Sequence, residues 1–140
     1  MLLPAAGAVL GLVATAAAAS VDTSPPPGGV YRLKPGIYVQ QGIDCSSPPN
    51  AALRQYDGRG ISDPHTRSCR VRVLARKENR YSVSQSCIDA GAGPAPRISE
   101  RQTVVVQDAL TFSQRTRGAP ITYRYCPAYM LPPELRGAVK

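Results

Sequence analysis

Ser68–Asp89 reads SCRVRVLARKENRYSVSQSCID, and this stretch decides the fold. Cys69, Val71, Val73 and Ala75 alternate with Arg70, Arg72, Leu74 and Arg76; after a short polar break, Tyr81, Val83, Gln85 and Cys87 alternate with Ser82, Ser84 and Ser86. Successive strand side chains point to opposite faces, so each half has one mainly apolar and one mainly polar face. With Lys77-Glu78-Asn79 as a three-residue loop, position 73 lies opposite 83 and position 69 opposite 87. Asn79 suits such a loop because Asn tolerates the left-handed conformation. A slip of one residue would turn serines toward the core, so the register is well specified. The outer face of this hairpin is expected to carry Arg70, Arg72 and Arg76 beside the serines.

Working outward, Tyr31–Gln41 opens the domain, with a turn at Pro35-Gly36 and a short strand at Ile37-Tyr38-Val39. Cys45–Asn50 contains two prolines and reads as a loop. Asp57-Gly58 between Ala51–Tyr56 and Arg59–Ser62 is a favoured hairpin pair, and Asn50 also suits the N-cap of a helical turn. Beyond the central hairpin, Ala90–Arg97 is a flexible loop. Gln102–Val106, the stretch from Leu110 and Ile121–Tyr125 then read as strands. Tight turns joining six or seven short strands give an all-β antiparallel meander. It closes as a small, lipocalin-like barrel or folds as a sandwich; the barrel is preferred, because nearly every strand connects to its neighbour.

The ends differ from this body. Residues 1–19, MLLPAAGAVLGLVATAAAA, carry no charge and end in small residues, the pattern of a secretory signal peptide without the usual basic start. Residues 20–30 are Pro/Gly-rich and read as a disordered linker, 31–126 as the β domain and 127–140 as a C-terminal tail. The expected compartment is therefore periplasmic or secreted, with no membrane span in the mature chain. Four cysteines (Cys45, Cys69, Cys87, Cys126) in an exported chain imply two disulfides. Pairing of sequence neighbours favours Cys45–Cys69 with Cys87–Cys126; the rival is Cys69–Cys87 across the hairpin with Cys45–Cys126. No C-x-x-C spacing supports a metal, and no cofactor motif is present.

The net charge is +8, with Arg outnumbering Lys fourteen to three. An Arg-rich surface suits anions, and Arg70, Arg72 and Arg76 are the candidate anion-binding residues; a GC-rich genome also enriches Arg together with Ala, Gly and Pro. Catalytic groups are scarce. The single histidine, His65, has Asp63 and Ser68 nearby in sequence but no G-x-S-x-G elbow. A ribonuclease would need a base, an acid and phosphate-holding arginines, roles that His65, Glu78 or Glu100, and Arg70 or Arg72 could supply, though nothing in their spacing shows that they converge. An inhibitor of a secreted hydrolase (protease or lysozyme) would present Ala90–Arg97 or Cys45–Asn50 to a cleft. The S-G-x-x-Y type motif of small lysozyme inhibitors is absent, the nearest stretch being Glu78-Asn79-Arg80-Tyr81, and a cationic lysozyme would be repelled. The sequence thus points to a non-enzymatic exported binding module for an anionic envelope component or a partner protein. Inhibitor and small ribonuclease-like hydrolase are the alternatives.

Overall fold

The computed structural model describes residues 11, 14, 16, 20–89 and 95–137. They form one antiparallel sheet of β1 (Gly36–Gln40), β2 (Leu53–Tyr56), β3 (Ile61–Ser62), β4 (Thr66–Lys77), β5 (Arg80–Asp89), β6 (Arg97–Asp108), β7 (Thr111–Arg115) and β8 (Ile121–Cys126). The order β3-β2-β1-β8-β7-β6-β5-β4 leaves β3 and β4, neighbours in sequence, as its two edges. The sheet therefore curls into a nearly closed up-and-down barrel, the preferred expectation. It has eight strands rather than six or seven, with the short hairpin expected around Asp57-Gly58 supplying both β2 and β3.

The seam between β3 and β4 is bridged rather than zipped. Val71 donates its N–H to the Arg59 carbonyl (3.0 Å). The buried Gln85 carboxamide accepts from Ile61 N–H and donates to Ile61 C=O, both at 2.8 Å. A side-chain amide thus stands in for the missing strand and satisfies main-chain groups that would otherwise be orphaned. Gly60 belongs to this approach, since a Cβ there would lie 2.7 Å from the Cys69 carbonyl oxygen.

The central hairpin keeps its predicted register near the cysteines, with Val73 opposite Val83 and Val71 opposite Gln85. It departs toward the tip. A bulge between Val73 and Ala75 absorbs one residue, so Lys77 pairs with Arg80 and the loop shrinks to Glu78-Asn79, with Glu78 at φ 55°. The second hairpin also differs. Gln55 pairs with Ser62 and Tyr56 with Ile61, leaving a four-residue loop in which Asp57 Oδ1 accepts from the N–H groups of Arg59 and Gly60.

The pairing of cysteines is corrected. Cys69 bonds Cys87 across β4 and β5, and Cys45 bonds Cys126. Sequence proximity was the wrong guide, because antiparallel register already seats Cys69 and Cys87 on one face with Cα atoms 4.1 Å apart. Two disulfides fit an oxidising extracellular or periplasmic environment. No helix among the described residues is long and apolar enough to cross a membrane.

Inside the barrel, Tyr38, Tyr56, Tyr81, Tyr123 and Phe112 pack with Val83 and Val104. One end is closed by residues 28–34. Tyr31 and Leu33 sit fully buried there, Tyr56 Oη donates to the Gly28 carbonyl (2.7 Å) and Tyr38 Oη to that of Lys34 (2.8 Å). These tyrosines fill the core with their rings and satisfy the plug's main chain with their hydroxyls. Within residues 20–30, read from composition as a linker, Asp22 and Ser24 touch the barrel. Asp22 is hydrogen-bonded by Ser24 and Tyr125 and ion-paired with Lys34 at 3.4 Å. Outside β1, β2 and β8 a second small core, including Ile37, Val39, Leu53 and Leu131, is pinned by Cys45–Cys126 under the C-terminal segment.

Candidate functional site

The register sorts the charged residues onto two surfaces. On the outside of β4–β7, Arg72 lies opposite Ser84 and Ser84 opposite Arg101; Arg70 lies opposite Ser86 and Ser86 opposite Ser99. Thr103 connects Ser82 to Arg115 in the next row, and Arg67 and Arg97 flank Ile88 at the end of the sheet. Six arginines, Arg67, Arg70, Arg72, Arg97, Arg101 and Arg115, therefore share these rows, all six exposed, and Arg80, opposite Lys77 and Val105, extends the same face toward the hairpin tip. Strand spacing puts Arg70 and Arg72 roughly 7 Å apart along β4 and Arg101 roughly 10 Å across from Arg72. Arg97 is held in place, donating from Nη1 to the carbonyls of Ser68 (3.0 Å) and Ser86 (3.2 Å). No aromatic ring is registered on this outer face of β4–β7, and its one registered carboxylate, Asp108, pairs with Thr111 at the far end of β6, outside the arginine rows, where its Oδ1 accepts the Leu110 N–H (2.8 Å).

Of the three candidate anion-binding residues, Arg70 and Arg72 are on this face and Arg76 is not. The bulge before Ala75 turns Arg76 to the side of Tyr81, where its guanidinium lies 4.7 Å over the ring and Nε donates to the Glu78 carbonyl at 2.9 Å. Strict alternation could not anticipate this, since nothing in Val73-Leu74-Ala75 marks a bulge. Arg97, Arg101 and Arg115 were missed because they lie far apart in sequence, and only the β5–β6–β7 register brings them beside Arg70 and Arg72.

The second surface is the open end of the barrel. A cavity of about 210 Å³ there is lined by Asp63, His65, Asp89, Glu100, Arg54 and Gln102, among others. Arg54 points inward, with its guanidinium 4.8 Å over the Tyr123 ring and Nε donating to Gln114 Oε1 (3.2 Å). Gln114 Nε2 in turn donates to Gln102 Oε1 (2.9 Å). Asp63 Oδ1 accepts from the His65 N–H (2.8 Å) and the Thr66 hydroxyl (3.2 Å).

Two residues weighed for ribonuclease chemistry, His65 and Glu100, thus line one cavity, whereas Arg70 and Arg72 lie on the opposite side of the sheet and Glu78 at the far hairpin tip. Ser68 sits at the bulge between Arg67 and Arg70. Cys45–Asn50 packs beside the outer core through Cys45, and in the loop Ala90–Arg97 residues 90–94 lie outside the described residues, as does most of the leader. Among the described residues no cluster of three or more His, Cys, Asp or Glu is placed to hold a metal ion.

Shifted acidities mark the core and the strap. Burial pushes the hydroxyls of Tyr31 and Tyr38 far above the ordinary tyrosine value. At Asp22 burial works against the carboxylate, but hydrogen bonds from Ser24, Tyr125 and Lys34 outweigh it and hold the pKa below its usual range.

Comparison with protein families, with curated proteins and with solved structures finds no match to this chain.

Proposed function

We propose that this chain is a non-enzymatic exported module that holds an acidic polysaccharide of the cell envelope on the outer face of β4–β7. One observation carries the reading: six arginines in four adjacent rows of the outer face, interleaved with serine and threonine hydroxyls and with no carboxylate registered among them. Guanidinium forks bind carboxylates and sulfates bidentately, and flanking hydroxyls suit the hydroxyls of a sugar chain. A single-stranded nucleic acid would call for aromatic platforms on which bases stack, and this face has none. Export rests on the leader-like residues 1–19 and on two disulfides that an oxidising compartment would maintain.

The test is titration of the oxidised protein with dextran sulfate, polygalacturonate and single-stranded oligo(dT) at rising salt. Binding to a polysaccharide should weaken steeply with salt. The Arg70→Ser/Arg72→Ser/Arg101→Ser variant should lose at least tenfold in affinity with an unchanged circular dichroism spectrum, while Arg76→Ser retains it. Equal binding by the triple variant, or tighter binding of oligo(dT) than of either polysaccharide, refutes the proposal.

A further inference from the structure

We infer that the open end of the barrel is a separate site for a small zwitterion, a molecule carrying an ammonium at one end and a carboxylate at the other. The inference is independent of the arginine face, because the cavity lies on the inner side of the sheet. It begins with hydrogen-bond polarity. Arg54 has donors only, so Gln114 must meet its Nε with the carboxamide oxygen. Gln114 therefore presents its NH₂ to Gln102, which must accept with its own oxygen. Gln102 is nine-tenths buried, lines the cavity, and is left with an NH₂ group that makes no hydrogen bond to the described residues. The order of O and N along this relay is fixed by the arginine at its end, and it finishes with a donor facing the cavity.

Gln85 lines the same cavity but spends both ends of its amide on Ile61. The unspent amide donor of the floor is therefore the Gln102 NH₂, and the Arg54 guanidinium lines the cavity with it. The rim has the opposite character. Asp63 and Glu100 bring two carboxylates to the mouth of a protein whose net charge is +8. Asp63 uses Oδ1 locally on His65 and Thr66, and the exposed Glu100 reaches the cavity from the row of Gln85. An occupant must offer an acceptor to the floor and a cationic donor to the rim. A cavity of about 210 Å³ limits it to few heavy atoms, below the ~300 Å³ of sites for drug-sized ligands. An amino-acid-like zwitterion meets all three conditions. A simple amine leaves the floor donor unanswered, and a simple carboxylate meets like charge at the mouth.

The experiment is an NMR titration of the ¹⁵N-labelled oxidised protein with the ω-amino acids from glycine to 6-aminohexanoate, with butylamine and butyrate as single-ended probes. The expected result is saturable movement of the Gln102 and Gln114 side-chain amide resonances with one chain length of the series. Either single-ended probe should bind at least tenfold more weakly. Gln102→Leu should abolish the response, and Glu100→Gln, at an exposed position that leaves folding untouched, should weaken it about tenfold. Arg70→Ser/Arg72→Ser should leave it unchanged, which separates this site from the arginine face. Absence of saturable binding by every ω-amino acid, binding of butylamine as tight as that of the best zwitterion, or an unaltered Glu100→Gln titration overturns the inference.

Discussion

At the residue scale the tyrosines show how one side-chain type does opposite work a few ångströms apart. Tyr56 Oη donates to the Gly28 carbonyl and accepts the Tyr31 N–H, so its hydroxyl fastens the plug. Tyr31 Oη, fully enclosed, has no hydrogen-bond partner among the described residues. A buried polar group without a partner costs about 1–3 kcal/mol, whereas a satisfied one contributes about 1 kcal/mol net. Tyr31→Phe should therefore be neutral or stabilising by about 1 kcal/mol, and Tyr56→Phe destabilising by about 1–2 kcal/mol, in urea unfolding monitored by circular dichroism. Gln85 is the more critical side chain. Gln85→Leu strips both partners from the Ile61 main chain at the seam and should cost about 2–4 kcal/mol by the same measurement. Gln85 was legible in sequence only as one polar residue on an apolar strand face; that it faces a strand edge follows from closure of the barrel.

At the element scale, alternation located the β4–β5 hairpin because one face is buried and a slip would be costly. The bulge at its tip was illegible for the complementary reason. Residues 72–80 are exposed, so no burial constraint there is written into the sequence. The first half of β6, Arg97–Arg101, was overlooked likewise, since every side chain there is exposed and the segment is a strand because β5 pairs with it. The N-terminal strap is a further element whose contacts composition does not reveal. Its Pro and Gly residues announce disorder, but Asp22 and Ser24 anchor it to Tyr125 and Lys34. The pKa of Asp22 is lowered from its ordinary 3.8, so the folded state binds its proton less readily than the unfolded state. The stability this contributes is present above about pH 4 and is lost as pH falls through the lowered folded-state value. The protection of the Ser24 amide relative to its intrinsic exchange rate, its N–H being given to Asp22, should fall on acidification through that range while protection in β5 persists. Asp22→Asn should show the lower protection already at pH 7.

At the scale of the whole molecule, the all-β class, the meander and the presence of two disulfides were readable, whereas the pairing of the cysteines was not. The pairing depends on strand register and on how the 41–52 segment folds over β1 and β8, both set by tertiary packing. The consequence is measurable. Cys45–Cys126 closes a loop with a sequence separation of 81 and Cys69–Cys87 one of 18. Chain entropy assigns about 4.5 kcal/mol to the first and about 3 kcal/mol to the second. Cys45→Ala/Cys126→Ala should thus lower stability by about 1 kcal/mol more than Cys69→Ala/Cys87→Ala in matched denaturant titrations. The same folding that sets those bonds gathers Arg70 and Arg72 with Arg97, Arg101 and Arg115, and placing Asp63, Asp89 and Glu100 at the mouth leaves those rows without a carboxylate among the arginines. The measurement that tests this claim most directly is the NMR footprint of bound dextran sulfate oligosaccharide on the oxidised protein. The account predicts shifts concentrated at Arg70, Arg72, Ser84, Ser99, Arg101 and Arg115, reversed by salt. A footprint centred on the barrel mouth, on Arg76 and the hairpin tip, or spread evenly over the surface would contradict it.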